Sequence, residues 1–267
     1  MLSNINKIGF IGCGKMGGAI ISGVLKTGFT KLIGVEASEE LALKATENLK
    51  IETTTDLKNA VTESDIIFVA LKPQYVLETL KKVTEELNTN SKLIVSVAAG
   101  VTISKIEAIL PNAPIIRAMP NTPALIGEGV FGIAKGSKAT DEQINLIKKL
   151  LGTIGECIEI DESKIDIVTA LSGSGPAFYY KVINEMAKGA VELGLDYESA
   201  LKLSLKTAIG SAKMIEQSPL PVEQLIANVA TKGGCTAVGV DYMNEINTEK
   251  IFAELIKVTT EKAASLG

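Results

Sequence analysis

One short segment near the start of the chain constrains the fold more than any other. It contains an apolar run, a glycine-rich loop and a helix-compatible stretch in direct succession: residues 7–11, Gly12-Cys13-Gly14-Lys15-Met16-Gly17 and residues 18–25. In a strand–loop–helix unit with this spacing, Gly12 permits a tight turn, Gly14 lets the backbone approach a pyrophosphate, and Gly17 lets the helix pack closely on the strand. A glycine-rich turn without a ligand has the same spacing, so the interpretation depends on the pattern of the downstream sequence.

As far as residue 160, short apolar runs alternate with amphipathic stretches. This alternation is typical of strand–helix–strand units in a parallel sheet. Six further strands are predicted, at residues 31–35, 65–71, 93–97, 115–119, 130–134 and 157–160. Thr140 and Gln143 predict a capping box for a helix that runs through Leu151 and ends at Gly152. We therefore expect residues 1–160 to form a Rossmann-type parallel-sheet domain that binds a dinucleotide.

From residue 161 to residue 267 the strand-like runs stop, and apolar residues recur at spacings of three and four, which predicts helices. Breaks between these helices are expected at Gly194, at residues 218–221 and at residues 232–234. The predicted fold class is therefore α/β, with the parallel-sheet domain followed by an all-helical domain. A helical domain this small and this apolar is expected to bury its surface against a second copy of the chain.

The composition excludes several classes of function. The formal net charge of −4 is not concentrated in any cluster, which argues against a nucleic-acid partner. No apolar run approaches the ~18–20 residues of a membrane span and the first residues lack a signal-peptide pattern, so we expect a cytoplasmic protein without a membrane partner. The chain has no histidine, which excludes serine–histidine triads and histidine-based zinc sites. Cys13, Cys157 and Cys235 are spaced for neither a metal motif nor a disulfide framework, so no metal is expected.

Glu36 follows the second predicted strand, about 20 residues after the glycine loop, where an acidic residue commonly binds the ribose hydroxyls of NAD. This position favours NADH over NADPH. Ser38 and Lys44 could nevertheless contact a 2′-phosphate, and a solvent-facing strand end would look the same in the sequence. The expected cofactor is therefore NADPH or NADH, with NADH favoured.

Ligands of an open parallel sheet bind beyond the carboxyl ends of its strands. The segments at those ends are rich in proline and small residues: Ala70-Leu71-Lys72-Pro73, Val97-Ala98-Ala99-Gly100 and Met119-Pro120-Asn121-Thr122-Pro123. They would form a stiff floor under a nicotinamide ring, with Lys72 and Asn121 as hydrogen-bond donors, although structural turns have the same composition. Arg117 is the only arginine in the chain. Its planar group could hold a carboxylate or backbone carbonyls in a fixed geometry, and we expect it to brace the turn at residues 119–123.

A second glycine-rich segment opens a helical stretch in the second half of the chain: Thr231-Lys232-Gly233-Gly234-Cys235-Thr236. A glycine pair at a helix start presents free amides that suit a small carboxylate, and Thr236 would add a hydroxyl. An ordinary helix N-cap is the alternative interpretation of this segment alone. A turn at residues 171–177, which includes Ser174, also precedes a helix and is expected to face the same pocket.

Taken together, these motifs resemble those of the pyrroline-5-carboxylate reductase family over nearly the whole chain. The segments that carry the resemblance are Gly12-x-Gly14-x-Met16-Gly17, Ala70-Leu71-Lys72-Pro73, Met119-Pro120-Asn121-Thr122-Pro123, Ser172-Gly173-Ser174-Gly175-Pro176-Ala177, and Gly233-Gly234-x-Thr236 with Gly239-Val240. The resemblance implies an interlocked helical dimer and the NADPH- or NADH-dependent reduction of 1-pyrroline-5-carboxylate, a cyclic imino acid, to proline. It also implies that amides around Gly233, Gly234 and Cys235 hold the substrate carboxylate, with the Thr236 hydroxyl near the ring nitrogen. The chain departs from the family at Thr231-Lys232, where the family has Ser-Pro.

A protonated imine accepts hydride without a strong enzymatic acid, so the implied reaction suits a chain without histidine. Thr236 is the candidate catalytic residue, and Ser174 joins the glycine segment as a candidate substrate-binding residue. Two other functions stay open. A β-hydroxyacid dehydrogenase would share the first loop and use a lysine such as Lys181 or Lys188, and a nucleotide-binding regulator without turnover would keep the same fold.

Overall fold

The computed structural model describes residues 5–266. Within this range the chain divides into two compact units, one formed by residues 5–174 together with 258–266 and the other by residues 175–257. The first unit is built on an eight-stranded sheet with the order β3-β2-β1-β4-β5-β6-β7-β8. The strands are β1 (Ile8–Ile11), β2 (Leu32–Val35), β3 (Glu52–Thr54), β4 (Ile66–Val69), β5 (Leu93–Ser96), β6 (Ile115–Met119), β7 (Gly129–Lys135) and β8 (Gly155–Glu159).

The predicted strands are all present, and β3 is an addition to them. β3 was missed because its three residues are polar or charged and lie at the edge of the sheet, where none of them is fully buried. An edge strand with little buried surface leaves no apolar run in the sequence.

The predicted parallel sheet is confirmed from β1 to β6, but its last two strands, β7 and β8, run in the opposite direction. β7 runs antiparallel to β6 and parallel to β8, whereas the other pairs formed by the described strands are parallel. A short 3-10 helix, Thr122–Ile126, joins β6 to β7. A parallel neighbour needs a crossover of a dozen or more residues, so a connection this short returns the chain in the opposite direction.

The first unit contains eight α-helices among the described residues. They are α1 (Lys15–Lys26), α2 (Glu39–Leu49), α3 (Leu57–Glu63), α4 (Pro73–Lys81), α5 (Thr84–Leu87), α6 (Ile103–Glu107), α7 (Asp141–Leu151) and α8 (Ile165–Val168). The predicted capping box of α7 is confirmed, because Thr140 Oγ1 accepts a hydrogen bond from the Gln143 amide and the Gln143 side chain accepts one from the Thr140 amide. Gly152 is the C-cap, as predicted.

Helices cover both faces of the sheet, which explains why its central strands are apolar throughout. All residues of β1, β2, β4 and β5 are buried. Phe10 belongs to a core cluster with apolar residues of α1 and α7, and its ring stacks on that of Phe68 with 5.0 Å between centroids. Ile11 points to the opposite face and belongs to a second cluster with residues of α3, α4, α5 and α6.

The turn predicted at residues 171–177 is instead helical. A single-turn π-helix, Thr169–Gly173, follows α8 directly, and the Ser174 amide closes it by donating to the Thr169 carbonyl at 2.8 Å. π-helical turns are uncommon and occur frequently at functional sites. The predicted helix after this segment is present and begins at Gly175.

The second unit is helical, as predicted. Its helices are α9 (Gly175–Glu192), α10 (Tyr197–Gln217), α11 (Val222–Val229), α12 (Cys235–Glu245) and α13 (Thr248–Ala264), with residues of α13 from 258 onward assigned to the first unit. The predicted breaks fall between these helices. Within α9 to α12 the buried residues are Gly175, Ala187 and Ala200, whereas large side chains such as Tyr242 and Met186 stay more than half exposed. This unit therefore does not cover its own apolar surface within one chain.

Across residues 5–266, no helix combines the length and apolarity that a bilayer crossing requires.

Candidate functional site

The glycine loop between β1 and α1 has the geometry that its sequence predicts. Gly12 has a φ of +96°, and an added Cβ there would lie 2.7 Å from the Ala70 carbonyl oxygen. An added Cβ at Gly17 would lie well inside 3.0 Å of the Gly12 carbonyl oxygen. Side chains at these two positions would therefore force the loop away from the ends of β1 and β4.

Gly14 differs from its neighbours because it faces open space. It is the N-cap of α1, no side chain caps the helix, and an added Cβ would meet no atom within 4 Å. Cys13, Gly14, Lys15 and Glu36 line a cavity of about 560 Å³ at this point. The free amides at a helix start attract anions, so the loop fits the pyrophosphate of a dinucleotide.

Glu36 lies at this cavity, as the sequence predicts, and also makes a contact that the sequence did not reveal. Its Oε1 accepts a hydrogen bond from the Cys13 amide at 2.6 Å. Burial and, to a lesser extent, the nearby Glu36 carboxylate raise the pKa of the Cys13 thiol to about 12. The carboxylate therefore fixes the glycine loop directly, and the thiol beside it stays protonated.

The other predicted cofactor residues follow adjacent parallel strands. Ala70 and Leu71 lie next to Gly12, within 3.1 Å of the position that a Gly12 side chain would occupy. Lys72 is the exposed N-cap of α4, and Pro73 is the first residue of that helix. Ala98 is buried after β5. Because parallel strands β1, β4, β5 and β6 are neighbours in the sheet, their carboxyl ends bring these segments to one edge.

Asn121 follows β6 at the same edge and is nearly buried, with 9% exposed. Its Oδ1 accepts a hydrogen bond from the Val130 amide at 3.0 Å. The side-chain carbonyl is thus committed to the fold, which leaves the amide nitrogen to donate, in line with the role predicted for it. Further cavity residues from α1, α2, the 3-10 helix and the loop before β8 were not predicted, because they have no local motif: Gly18, Ala19, Ser22, Lys26, Leu41, Ala45, Asn48, Leu49, Ala124, Leu125 and Ile154.

The prediction that Arg117 braces the turn at residues 119–123 was wrong, whereas the alternative that it holds a carboxylate is confirmed. Arg117 is 2% exposed, and its Nη1 and Nη2 lie 3.3 Å from Glu162 Oε1 and 3.4 Å from Asp166 Oδ1. The prediction was wrong because both carboxylates are distant in the chain, in the segment that follows β8. The arginine therefore joins β6 to that segment.

The second glycine segment opens α12 in the second unit. Gly233 has a φ of +78°, and Gly234 is the N-cap without a side-chain cap. Cys235 is exposed at the first helical position, and Thr236 lines a cavity of about 780 Å³ between α10, α11 and α12. An uncapped helix start with adjacent open space can hold a small anion.

The remaining predicted side chains are placed as follows. Ser174 belongs to the first unit and is partly buried directly after the π-helix. Lys181 and Lys188 lie exposed on α9, and both pair with Glu185, at 3.3 and 3.1 Å. No group of acidic and cysteine side chains in residues 5–266 is arranged to hold a metal ion.

Comparison with known proteins gives matches along the whole chain. Residues 162–266 match the family described as pyrroline-5-carboxylate reductase dimerisation, and residues 7–100 match the family described as NADP oxidoreductase, coenzyme F420-dependent. Pyrroline-5-carboxylate reductase of Methanosarcina acetivorans is 38% identical over 265 residues, which is 98% of this chain and 98% of that protein. The crystal structure of Plasmodium falciparum pyrroline carboxylate reductase with NADP bound superposes with a TM-score of 0.87 at 30% identity, covering 99% of this chain and 98% of that one. A pyrroline-5-carboxylate reductase from Coxiella burnetii gives 0.92 at 28% identity and 99% coverage of each chain.

Proposed function

Because this chain belongs to the pyrroline-5-carboxylate reductase family, we propose that it reduces the cyclic imine of 1-pyrroline-5-carboxylate to L-proline with NADPH or NADH. The observation that carries the proposal is the start of α12, where Gly233 and Gly234 leave the first-turn amides without a side-chain cap next to Thr236. A carboxylate is the kind of ligand that such amides favour.

Two groups of residues in the first unit fit the dinucleotide. The pyrophosphate is assigned to the loop with its open position at Gly14: Gly12, Cys13, Gly14, Lys15, Met16 and Gly17. The nicotinamide is assigned to the strand ends: Ala70, Leu71, Lys72, Pro73, Ala98 and Asn121. When bound, the nicotinamide supplies the hydride. The task of the chain is to orient it, and we assign that role to the Asn121 amide nitrogen, since Oδ1 of that side chain already accepts from the Val130 amide.

We assign the cofactor preference to Glu36. A carboxylate held against the Cys13 amide at 2.6 Å disfavours a 2′-phosphate by like charge and suits ribose hydroxyls. Lys44, which also lines the cavity, offsets part of that repulsion. NADH is therefore the favoured cofactor in this proposal, with NADPH used less efficiently.

The substrate is assigned to α12. The amides after Gly233 and Gly234, including that of Cys235, hold the carboxylate, and the Thr236 hydroxyl orients the ring nitrogen and helps deliver its proton. Ser174 supplies a further hydroxyl. None of these groups is a strong acid, and none is needed, because a protonated imine accepts hydride directly and the chain supplies proximity.

We further propose that residues 1–160 form the cofactor domain and that residues 161–267 form the domain through which the enzyme self-associates. The exposed apolar side chains of α9 to α12 support this assignment, as does the match to the dimerisation family. A cytoplasmic location is supported by three unpaired cysteines, which are typical of reducing compartments. A nucleic-acid partner has no support in the charge pattern.

The test is steady-state reduction of pyrroline-5-carboxylate with NADH and NADPH in parallel. Thr236→Ala should lower kcat/KM roughly ten- to hundred-fold, because a hydrogen bond to a charged partner contributes about 1.5–3 kcal/mol. Thr62→Ala, an equal truncation on the exposed face of α3, should leave kcat/KM unchanged. Unaltered kinetics in Thr236→Ala would refute its assignment. Oxidation of 3-hydroxyacids instead of proline would indicate a β-hydroxyacid dehydrogenase, and cofactor binding by calorimetry without turnover would indicate a regulatory protein.

A further inference from the structure

Arg117 lies buried in an apolar part of the first unit. It is on β6 between Ile115, which belongs to the core cluster on the α6 side of the sheet, and Met119, which packs against that cluster. Burying a guanidinium and its partners costs free energy that apolar side chains of similar volume would not. Lysine provides every other basic side chain of this chain. The presence of a planar group with several donors at this position therefore indicates a need for its geometry as well as its charge.

The guanidinium spans two carboxylates that lie one helical turn apart. Glu162 and Asp166 flank the start of α8, at 3.3 and 3.4 Å from the two terminal nitrogens. Glu162 also accepts a hydrogen bond from the Ile103 amide at 2.5 Å. Among the described residues, Arg117 Nε has no hydrogen-bond partner. All of the hydrogen bonding of the guanidinium is thus directed to the segment that begins α8.

The far end of that segment is held against the same part of the sheet. An added Cβ at Gly173 would lie 2.8 Å from Met119 Cε, and one at Gly132 would lie 2.6 Å from Val168 Cγ1. The segment from residue 162 to residue 173 therefore contacts β7 at Gly132 and β6 at Met119. Asn121 lies two residues after Met119, just beyond the end of β6. Ser174 directly follows Gly173, the last residue of the π-helix.

We propose that Arg117 is a positioning residue: through Glu162 and Asp166 it fixes the π-helical segment that precedes Ser174 against the end of β6 that precedes Asn121. The reaction that it serves is the proposed reductase reaction, so this inference rests on the proposed function. A lysine could pair with one carboxylate but could not span both, because its charge is a single point on a flexible stem. Displacements of about 1 Å in a catalytic site lower rates by up to about 100-fold.

Arg117→Lys tests the geometry while keeping the charge. We expect kcat with pyrroline-5-carboxylate to fall roughly ten- to hundred-fold, while the Kd of NADPH, which depends on the loop at Gly14, stays close to that of the wild type. Lys148→Met is the matched control, because Lys148 forms a partly exposed pair with Glu159 at 2.7 Å in another part of the sheet. This control should leave kcat unchanged.

A second variant separates positioning from folding. Arg117→Met combined with Glu162→Gln and Asp166→Asn removes all three charges, so that no unpaired charge is left buried. The proposal expects this variant to fold with kcat still lowered. It also expects amide hydrogen exchange of residues 165–174 to rise in Arg117→Lys and not in Lys148→Met.

Wild-type kcat in Arg117→Lys or in the charge-free variant would overturn the proposal. A failure of every Arg117 variant to fold would also overturn it, by assigning the residue to stability alone. If the wild-type protein does not reduce pyrroline-5-carboxylate, the proposed function fails by itself. Hydrogen exchange then decides separately whether Arg117 fixes the segment, and unchanged exchange in Arg117→Lys would show that it does not.

Discussion

Gly14 and Gly17 lie in the same loop, but replacing them with alanine should affect different properties. Gly17→Ala should lower the stability of the fold, and Gly14→Ala should lower the affinity for the cofactor. An added Cβ at Gly14 meets no atom within 4 Å, and its φ of −65° is one that alanine adopts readily. An added Cβ at Gly17 falls well inside 3.0 Å of the Gly12 carbonyl oxygen and 3.3 Å from Ala70 Cβ. Gly17→Ala must therefore displace backbone, whereas Gly14→Ala need not.

The stability cost follows from that difference. Overpacking costs about 1–3 kcal/mol, and a clash with backbone places Gly17→Ala near about 3 kcal/mol. For a chain of this size that corresponds to a fall of roughly 6–12 °C in the unfolding temperature. Gly14→Ala only replaces a glycine N-cap by alanine, at a cost below about 1 kcal/mol.

Cofactor affinity should separate the two variants further. The methyl group of Gly14→Ala would fill the space assigned to the pyrophosphate, so we expect the Kd of NADPH to rise roughly ten- to hundred-fold, equivalent to the loss of one hydrogen bond to a charged group. Thermal unfolding without cofactor, followed by circular dichroism, measures the first effect, and titration calorimetry with NADPH measures the second. Gly189→Ala, at an open position of α9, is the control for binding. Equal losses of stability in the two loop variants, or wild-type NADPH affinity in Gly14→Ala, would refute the reasoning.

Three further predictions concern single side chains. Glu36→Gln removes the charge held at the Cys13 amide, so kcat/KM with NADPH relative to NADH should rise roughly ten-fold, and an unchanged ratio in parallel steady-state assays would contradict the role of Glu36. Burial raises the pKa of Cys13 from 9.0 to about 12, so between these values the native state keeps a proton that the unfolded chain releases. The free energy of unfolding should therefore fall with rising pH, by at most about 1.4 kcal/mol per unit, and Cys13→Ala should flatten that slope in urea titrations. Iodoacetamide should modify exposed Cys235 before Cys157, whose pKa burial raises to about 11. Proline should slow the Cys235 reaction seen by mass spectrometry, and labelling that ignores proline would argue against a substrate site at α12.

The parts of the fold that the sequence predicted are those with a local cause. The central strands are apolar on both faces, the capping box of α7 lies within four residues, and each loop glycine has a steric role that its spacing implies. β3 and the reversed direction of β7 and β8 were missed for physical reasons. A polar edge strand leaves no hydrophobic pattern, and the direction of a strand depends on its connection, which apolar runs do not record.

The candidate site shows the same division between local and distant contacts. Glu36 and Gly14 could be proposed as cofactor-binding residues from the sequence because each has a fixed position relative to a strand end. The unusual character of Arg117 was also visible, since it is the only arginine in the chain. Its partners were not, because Glu162 and Asp166 are 45 and 49 residues away and no short-range pattern connects them.

The two proposed binding sites share one structural feature, a helix that begins with a glycine N-cap and has no side-chain cap. Helices α2, α3, α6, α7 and α10 begin with side-chain caps from Ser38, Asp56, Thr102, Thr140 and Asp196. Helices α4, α5, α8 and α11 have no side-chain cap, and α1 and α12 also lack one but have glycine, Gly14 and Gly234, as the N-cap. Glycine leaves the first amides available, so an anion can take the place that a serine or aspartate oxygen would occupy. A pyrophosphate at one helix and a carboxylate at the other would each complete the start of its helix. Because amides do not titrate, both anions would be held without a protein group that ionises near neutral pH, which suits a chain without histidine.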